Sequence, residues 1–198
     1  MHALNLQMQE EYYTYDDISA MDDDIRRELI DGVIYNMASP LNVHQDISME
    51  ISRQLSNFLR GKKCKVYHAP FDVRLNADKA NKKDDTVVQP DILVICNRSI
   101  LDPQGRGCKG APDFVIEILS PSTAYMDRHI KFKKYLEAGI REYWIVDPAY
   151  KLVEAHILVN GIYTKRTYGN TDSISVHVLD GCEIDLSIVF AEDEGIEA

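Results

Sequence analysis

Two acidic residues interrupt two stretches of a 198-residue chain that are otherwise almost wholly apolar. Asp91 stands in TVVQPDILVIC (86–96) and Glu117 in PDFVIEILS (112–120). Both stretches are dense in Val and Ile and read as central strands. Alternation then puts Val87, Gln89, Asp91, Leu93 and Ile95 on one face, and Val115, Glu117 and Leu119 on one face of the other strand. A carboxylate in the middle of such a strand is costly unless it is paired or metal-bound. If the strands adjoin, two carboxylates disfavour joint ionisation. A divalent cation removes that conflict, and carboxylate oxygens are the usual hard ligands of Mg²⁺ or Mn²⁺. Structural ion pairing explains the two acids equally well on spacing alone.

Lys131 is the third candidate. Asp127, Lys131 and Tyr135 follow at helical spacing and share one flank of a helix that begins soon after the Glu117 strand. The plainer expectation is a surface Asp127–Lys131 pair, contributing about 0.3–0.5 kcal/mol. The sharper one is an ammonium near the sheet end that positions an attacking water or stabilises charge growing on phosphorus. Glu28, in RRELIDG, could extend a carboxylate cluster or be a solvated strand residue. His44, which opens a helix, could satisfy that helix terminus or serve as an extra metal or phosphate contact.

The elements that must position these residues follow from pattern. Residues 1–13 read as a leader, Thr14 as the cap of a short helix, and Asp31-Gly32 as a tight hairpin between short apolar runs. Apolar positions 47, 51, 55, 58 and 59 recur at helical spacing and Gly61 stops that helix. The segment 66–76 reads as one strand carrying Pro70, and residues 77–85 as a polar loop. Ser120-Pro121-Ser122-Thr123 starts a helix over about 124–138, ended by Gly139; 141–148 is the next strand. Short strands and an Asn160-Gly161 hairpin follow, then an acidic tail over 190–198. The expectation is one α/β (α+β) domain over 1–198, a mixed β-sheet flanked by helices with extra C-terminal β-hairpins.

Composition narrows the function. With 45% hydrophobic and 27% charged residues, a packed core is expected. A net charge of -10 argues against a protein that coats nucleic acid indiscriminately, although local basic patches exist at Lys62, Lys63 and Lys65, at Lys79, Lys82 and Lys83, and from Arg128 to Lys134. Cys64, Cys96, Cys108 and Cys182 are far apart in sequence and read as four reduced thiols in a cytoplasmic protein. No run reaches the ~20 apolar residues that span a bilayer, so no membrane partner is expected. The β-rich end offers a surface for a homodimer.

The strings ELIDGVIYNMASPLNVH, VQPDILVI, PDFVIEILSPST and DRHIKFKKYLEAGIREYWIVDP together resemble the Uma family of restriction-endonuclease-like proteins, within the PD-(D/E)XK nuclease superfamily. The resemblance covers roughly residues 14 to 160. It implies a restriction-endonuclease-like core and a metal-dependent endonuclease acting on DNA. Pro90-Asp91 matches the "PD" of the motif and Glu117 its acid. Leu119 stands where the motif lysine is expected, so the resemblance moves the basic role to Lys131, with Lys133 or Lys134 as substitutes. A lost motif lysine is also how a nuclease becomes an inactive, nuclease-fold binding domain, which is the alternative function.

Overall fold

The computed structural model describes residues 11–21, 24–77 and 84–191. Most of the leader and acidic tail, and Lys79, Lys82 and Lys83, lie outside the described residues.

The Asp31-Gly32 hairpin forms as its sequence demands. β1 (Arg27–Ile30) and β2 (Val33–Asn36) are joined by two residues with positive φ, 51° at Asp31 and 80° at Gly32. Before them, Thr14 caps the short helix α1 (Tyr15–Ser19), and its N–H and Oγ1 both donate to the Asp17 carboxylate at 2.7 Å. The long helix α2 (Asn42–Leu59) buries Ile47, Ile51, Leu55 and Leu59, one residue per turn.

Two expected strands each divide, at proline in both cases. The 66–76 segment becomes β3 (Lys65–His68) and β4 (Val73–Arg74), broken around Pro70. The 86–96 segment becomes β5 (Val87–Val88) and β6 (Ile92–Ile95), broken around Pro90. A proline has no N–H to give to a ladder, and it also restricts the residue before it. The chain uses each break to pass between sheets. β4 and β5 enter a five-stranded sheet of order β2-β1-β5-β4-β7, where β7 is Cys108–Lys109. β3 and β6 enter a six-stranded sheet together with β8 (Phe114–Ile118), β9 (Glu142–Asp147), β10 (Leu152–Val159) and β11 (Ile162–Gly169), in the order β11-β10-β9-β8-β6-β3. β8 and β9 run parallel and the other pairs antiparallel, so the sheet is mixed as expected. β12 (Ser173–Ser175), β13 (Glu183–Asp185) and the short helix α4 (Leu186–Val189) complete the C-terminal end.

The six-stranded sheet has a core on each face. Ile92, Val94, Phe114, Ile116, Ile118, Trp144 and Val146 pack against α2 and the C-terminal elements. Leu93, Ile95, Val115, Leu119, Tyr143 and Ile145 face Tyr135 and the five-stranded sheet. Tyr135 belongs to α3 (Phe132–Ala138), which Gly139 ends at φ 80°. It is preceded by a wider π-helical stretch, Met126–Lys131, at the start of the helix that the sequence places over 124–138.

The expectation of four free thiols is corrected. β3 pairs with β6 so that Lys65 faces Ile95, which sets Cys64 beside Cys96 at a Cα separation of 4.0 Å, joined as a disulfide. Sequence separation said nothing of this because register, not distance along the chain, makes them neighbours. Cys108 and Cys182 are free and buried.

One glycine is fixed by its surroundings. A Cβ at Gly107, where φ is 95°, would lie 2.0 Å from the Asp72 carbonyl oxygen, which accepts from the Cys108 N–H at 2.8 Å. Gly107→Ala should therefore lower stability by about 3 kcal/mol or more, combining backbone strain with the loss of β4–β7 pairing. Urea unfolding of the two proteins checks this, and a loss under about 1 kcal/mol would contradict it.

Candidate active site

The register of the central sheet decides where the two acids meet. β6 and β8 pair with Ile92 opposite Ile116 and Leu93 opposite Val115. One step further out, at the Pro90 break, Asp91 comes opposite Glu117. Asp91 thus stands at the end of β6 rather than in the middle of a longer strand. Its Oδ2 accepts from the Ile118 N–H at 2.8 Å, and its own N–H approaches Glu117 Oε2 at 3.4 Å. Both acids line a cleft of about 370 Å³, walled also by residues 37–41 and by Ser120, Ser122 and Thr123.

His44 reaches this point from the first turn of α2. Its Nε2 lies 3.1 Å from Asp91 Oδ2, so the imidazole serves the site rather than its own helix end. Burial alone would lower its pKa. The Asp91 carboxylate, with smaller help from Asp127 and the Ile118 carbonyl, outweighs burial and holds it above the usual value.

The surface-pair expectation for Lys131 is overturned. The residue is 3% exposed and Asp127 2%. The Lys131 ammonium lies 2.8 Å from Glu28 Oε1, 3.1 Å from Glu117 Oε1 and 3.3 Å from Asp127 Oδ1. Helical spacing placed these groups on one flank, but only packing against β8 turned that flank inward. Lys133 and Lys134 point elsewhere: Lys133 is exposed near Glu137, and Lys134 binds Asp31 at 2.6 Å. Arg128 is likewise held by Asp147 and Glu154, so the basic run from Arg128 to Lys134 is largely neutralised.

Glu117 also accepts a hydrogen bond from the Tyr135 hydroxyl at 2.6 Å, and Glu28 from the Gln89 N–H at 2.8 Å. Burial pushes the Glu117 carboxyl well up; Lys131 pulls it down, and Asp127, Asp91 and Glu28 push it up again. Asp127 is raised for the same first reason, burial. The Lys131 ammonium would lose its proton more easily through burial, yet Glu117, Glu28 and Asp127 hold it well above the ordinary value. Three carboxylates thus share one buried cation. Among the described residues, no group of three His, Cys, Asp or Glu side chains is arranged to hold a metal ion. The centre of the Glu28–Glu117–Asp127 cluster is filled by an ammonium instead. Asp91 and Glu117 remain as the adjoining acids on the cleft side.

The sequence signals singled out Asp91, Glu117, Lys131, Glu28 and His44, and all five are brought together. From sequence, Asp127 reads only as a surface partner and Tyr135 stands out only by its spacing. Gln89 was placed on the Asp91 face, and the π turn that presents Lys131 left no signal.

A solved structure shares this arrangement of elements. A putative nuclease belonging to DUF820 from Anabaena variabilis superposes with a TM-score of 0.72 at 18% identity, covering 90% of this chain and 97% of that one, a likeness of fold. The uncharacterized protein slr1290 of Synechocystis sp. is 27% identical over 172 residues, 85% of this chain and 82% of its own length. The family profile of Uma2, described as "Putative restriction endonuclease", matches residues 9–187, which include every residue of the cleft described above. With a match of that extent, the chain belongs to the Uma2 family.

Proposed function

We propose that this protein is a divalent-metal-dependent endonuclease that hydrolyses phosphodiester bonds of DNA, with Asp91 and Glu117 as ligands of Mg²⁺ or Mn²⁺. The observation that carries this is the meeting of Asp91 and Glu117 across the β6–β8 end on the floor of an open cleft. The donor set suits such an ion. Each carboxylate has one oxygen committed to protein donors, Asp91 Oδ2 to Ile118 and His44, and Glu117 Oε1 to Tyr135 and Lys131. The second oxygens, Asp91 Oδ1 and Glu117 Oε2, are less engaged and supply the hard ligands that Mg²⁺ accepts alongside waters. The backbone carbonyl of Ile118 is a further candidate ligand.

When bound, the ion would polarise a phosphoryl oxygen and lower the pKa of a water. The chain's own residues do the rest. Burial raises the cost of ionising Glu117, and Lys131 offsets part of that cost. It also lines the cleft, close enough for its charge to act on a phosphate there. His44 fixes the orientation of Asp91, and Tyr135 that of Glu117.

Plasmid nicking tests the proposal. Wild-type protein should relax supercoiled DNA with Mn²⁺ and not with EDTA, and Asp91→Ala should reduce the rate by about a thousandfold or more. Equal nicking by Asp91→Ala would sink the site. DNA binding without hydrolysis would identify instead the inactive, nuclease-fold binding domain.

A further inference from the structure

Among the described residues, Arg26 is a cation of the cleft that no carboxylate closes. Two other half-buried arginines are closed by acids: Arg74 meets Asp84 and Asp102, and Arg128 meets Asp147 at 3.1 Å and Glu154 at 2.7 Å. Arg26, half-buried, instead donates from Nε at 3.2 Å and Nη2 at 3.0 Å to the side-chain oxygen of Gln89. An amide oxygen carries no net charge, so this partner does not offset the charge of the guanidinium. It also keeps donors to spare, since a guanidinium has five N–H groups in a fork.

The amide is held in the orientation this requires. Gln89 Nε2 donates to Asp72 Oδ1 at 2.9 Å, which leaves its oxygen to face Arg26. The Gln89 N–H donates to Glu28, tying the same residue to the buried cluster. Gln89 is two residues before Asp91, and Arg26 lines the cleft together with Asp91, Glu117 and His44. A chain of net charge -10 needs a local cation wherever it admits a polyanion. An arginine pre-set by a neutral partner fits a phosphate, which it can take through two parallel hydrogen bonds.

We propose that Arg26 binds a backbone phosphate of the DNA strand lying in the cleft, with Gln89 and Asp72 as the residues that position it. The proposal rests on the reading of the cleft as a nucleic-acid site. The competing role is purely structural, a tie between the start of β1 and the Gln89–Asp91 break.

Fluorescence anisotropy with a short labelled duplex, titrated over a series of salt concentrations in EDTA, separates the two roles. For the whole chain, Arg26→Gln should weaken binding about tenfold and reduce the slope of log affinity against log salt by about 0.9, the contribution of one phosphate. Arg26→Lys should recover most of the slope, because the charge returns without the fork. Thermal melts of all three proteins accompany the titrations. Arg53→Gln, outside the cleft, should bind like wild type. An unchanged affinity and slope for Arg26→Gln overturns the proposal. So does equal weakening in the Gln and Lys variants with lowered melting temperatures, which would mark a structural tie. A wild type that does not bind the duplex overturns it as well. Loss of duplex binding in Arg26→Gln, in a wild type that binds but does not cleave with Mn²⁺, would sink the catalytic reading and leave Arg26 as a phosphate contact.

Discussion

Lys131→Met should destabilise the fold by about 3–5 kcal/mol at neutral pH, because it leaves buried carboxylates without their cation. Glu28, Glu117 and Asp127 all lie within 3.3 Å of the lost ammonium. The loss should depend on pH with a definite sign. Glu117 and Asp127 have folded-state pKa values raised by burial above 4.5 and 3.8. A raised carboxyl contributes stability at low pH that is lost as pH rises through the folded value. Without Lys131 those values rise further, so the deficit of the variant should grow as pH rises from acid to neutral. In the wild type, the Lys131 pKa is raised above 10.5, so its contribution is complete below that value and is lost only as pH rises beyond the folded one. Urea unfolding of both proteins across this range measures the difference. A deficit under about 1 kcal/mol at every pH would mean that these buried pairs contribute no more than a surface pair does.

Glu117→Gln should have two large effects of opposite sense. Four acids, Asp91, Glu117, Glu28 and Asp127, crowd around Lys131 and His44. Burial raises the Glu117 pKa and with it the cost of ionising the carboxyl, and a neutral isostere removes that cost. Stability should rise by about 1 kcal/mol at pH 7, and the gain should fade as pH falls and the wild-type carboxyl takes up its proton. Tyr135 and Lys131 can still donate to the amide oxygen. Cleavage with Mn²⁺, in contrast, should fall about a thousandfold, and calorimetric Mn²⁺ binding should disappear. A variant that binds Mn²⁺ as the wild type does would make Glu117 a structural acid. A variant that is destabilised would mean that the Glu117–Lys131 pair outweighs the crowding of charge.

Burial strengthens each electrostatic contact and raises the cost of each uncompensated charge, so Lys131 lets several acids remain close together.

The sequence by itself determined the elements and the unusual residues within them. Alternation and helical spacing depend only on local backbone geometry, and this is why α2, the Asp31-Gly32 hairpin and β8 lie where their patterns place them. The interruption of two apolar runs by Asp91 and Glu117 was visible for the same reason. Tertiary structure decided what those residues face. Pro90 could be read as unusual, but only the folded chain shows that it hands the strand from one sheet to the other and sets Asp91 at a strand end. Lys131 spaced four residues from Asp127 looks alike on a solvated or a buried helix, and the choice is made by packing against the sheet. Cys64 and Cys96 become neighbours through the register of β3 and β6, a property of two segments together that neither carries alone. Arg26 and Gln89 meet for the same reason: pairing between strands distant in sequence, not spacing along the chain, brings their side chains into contact.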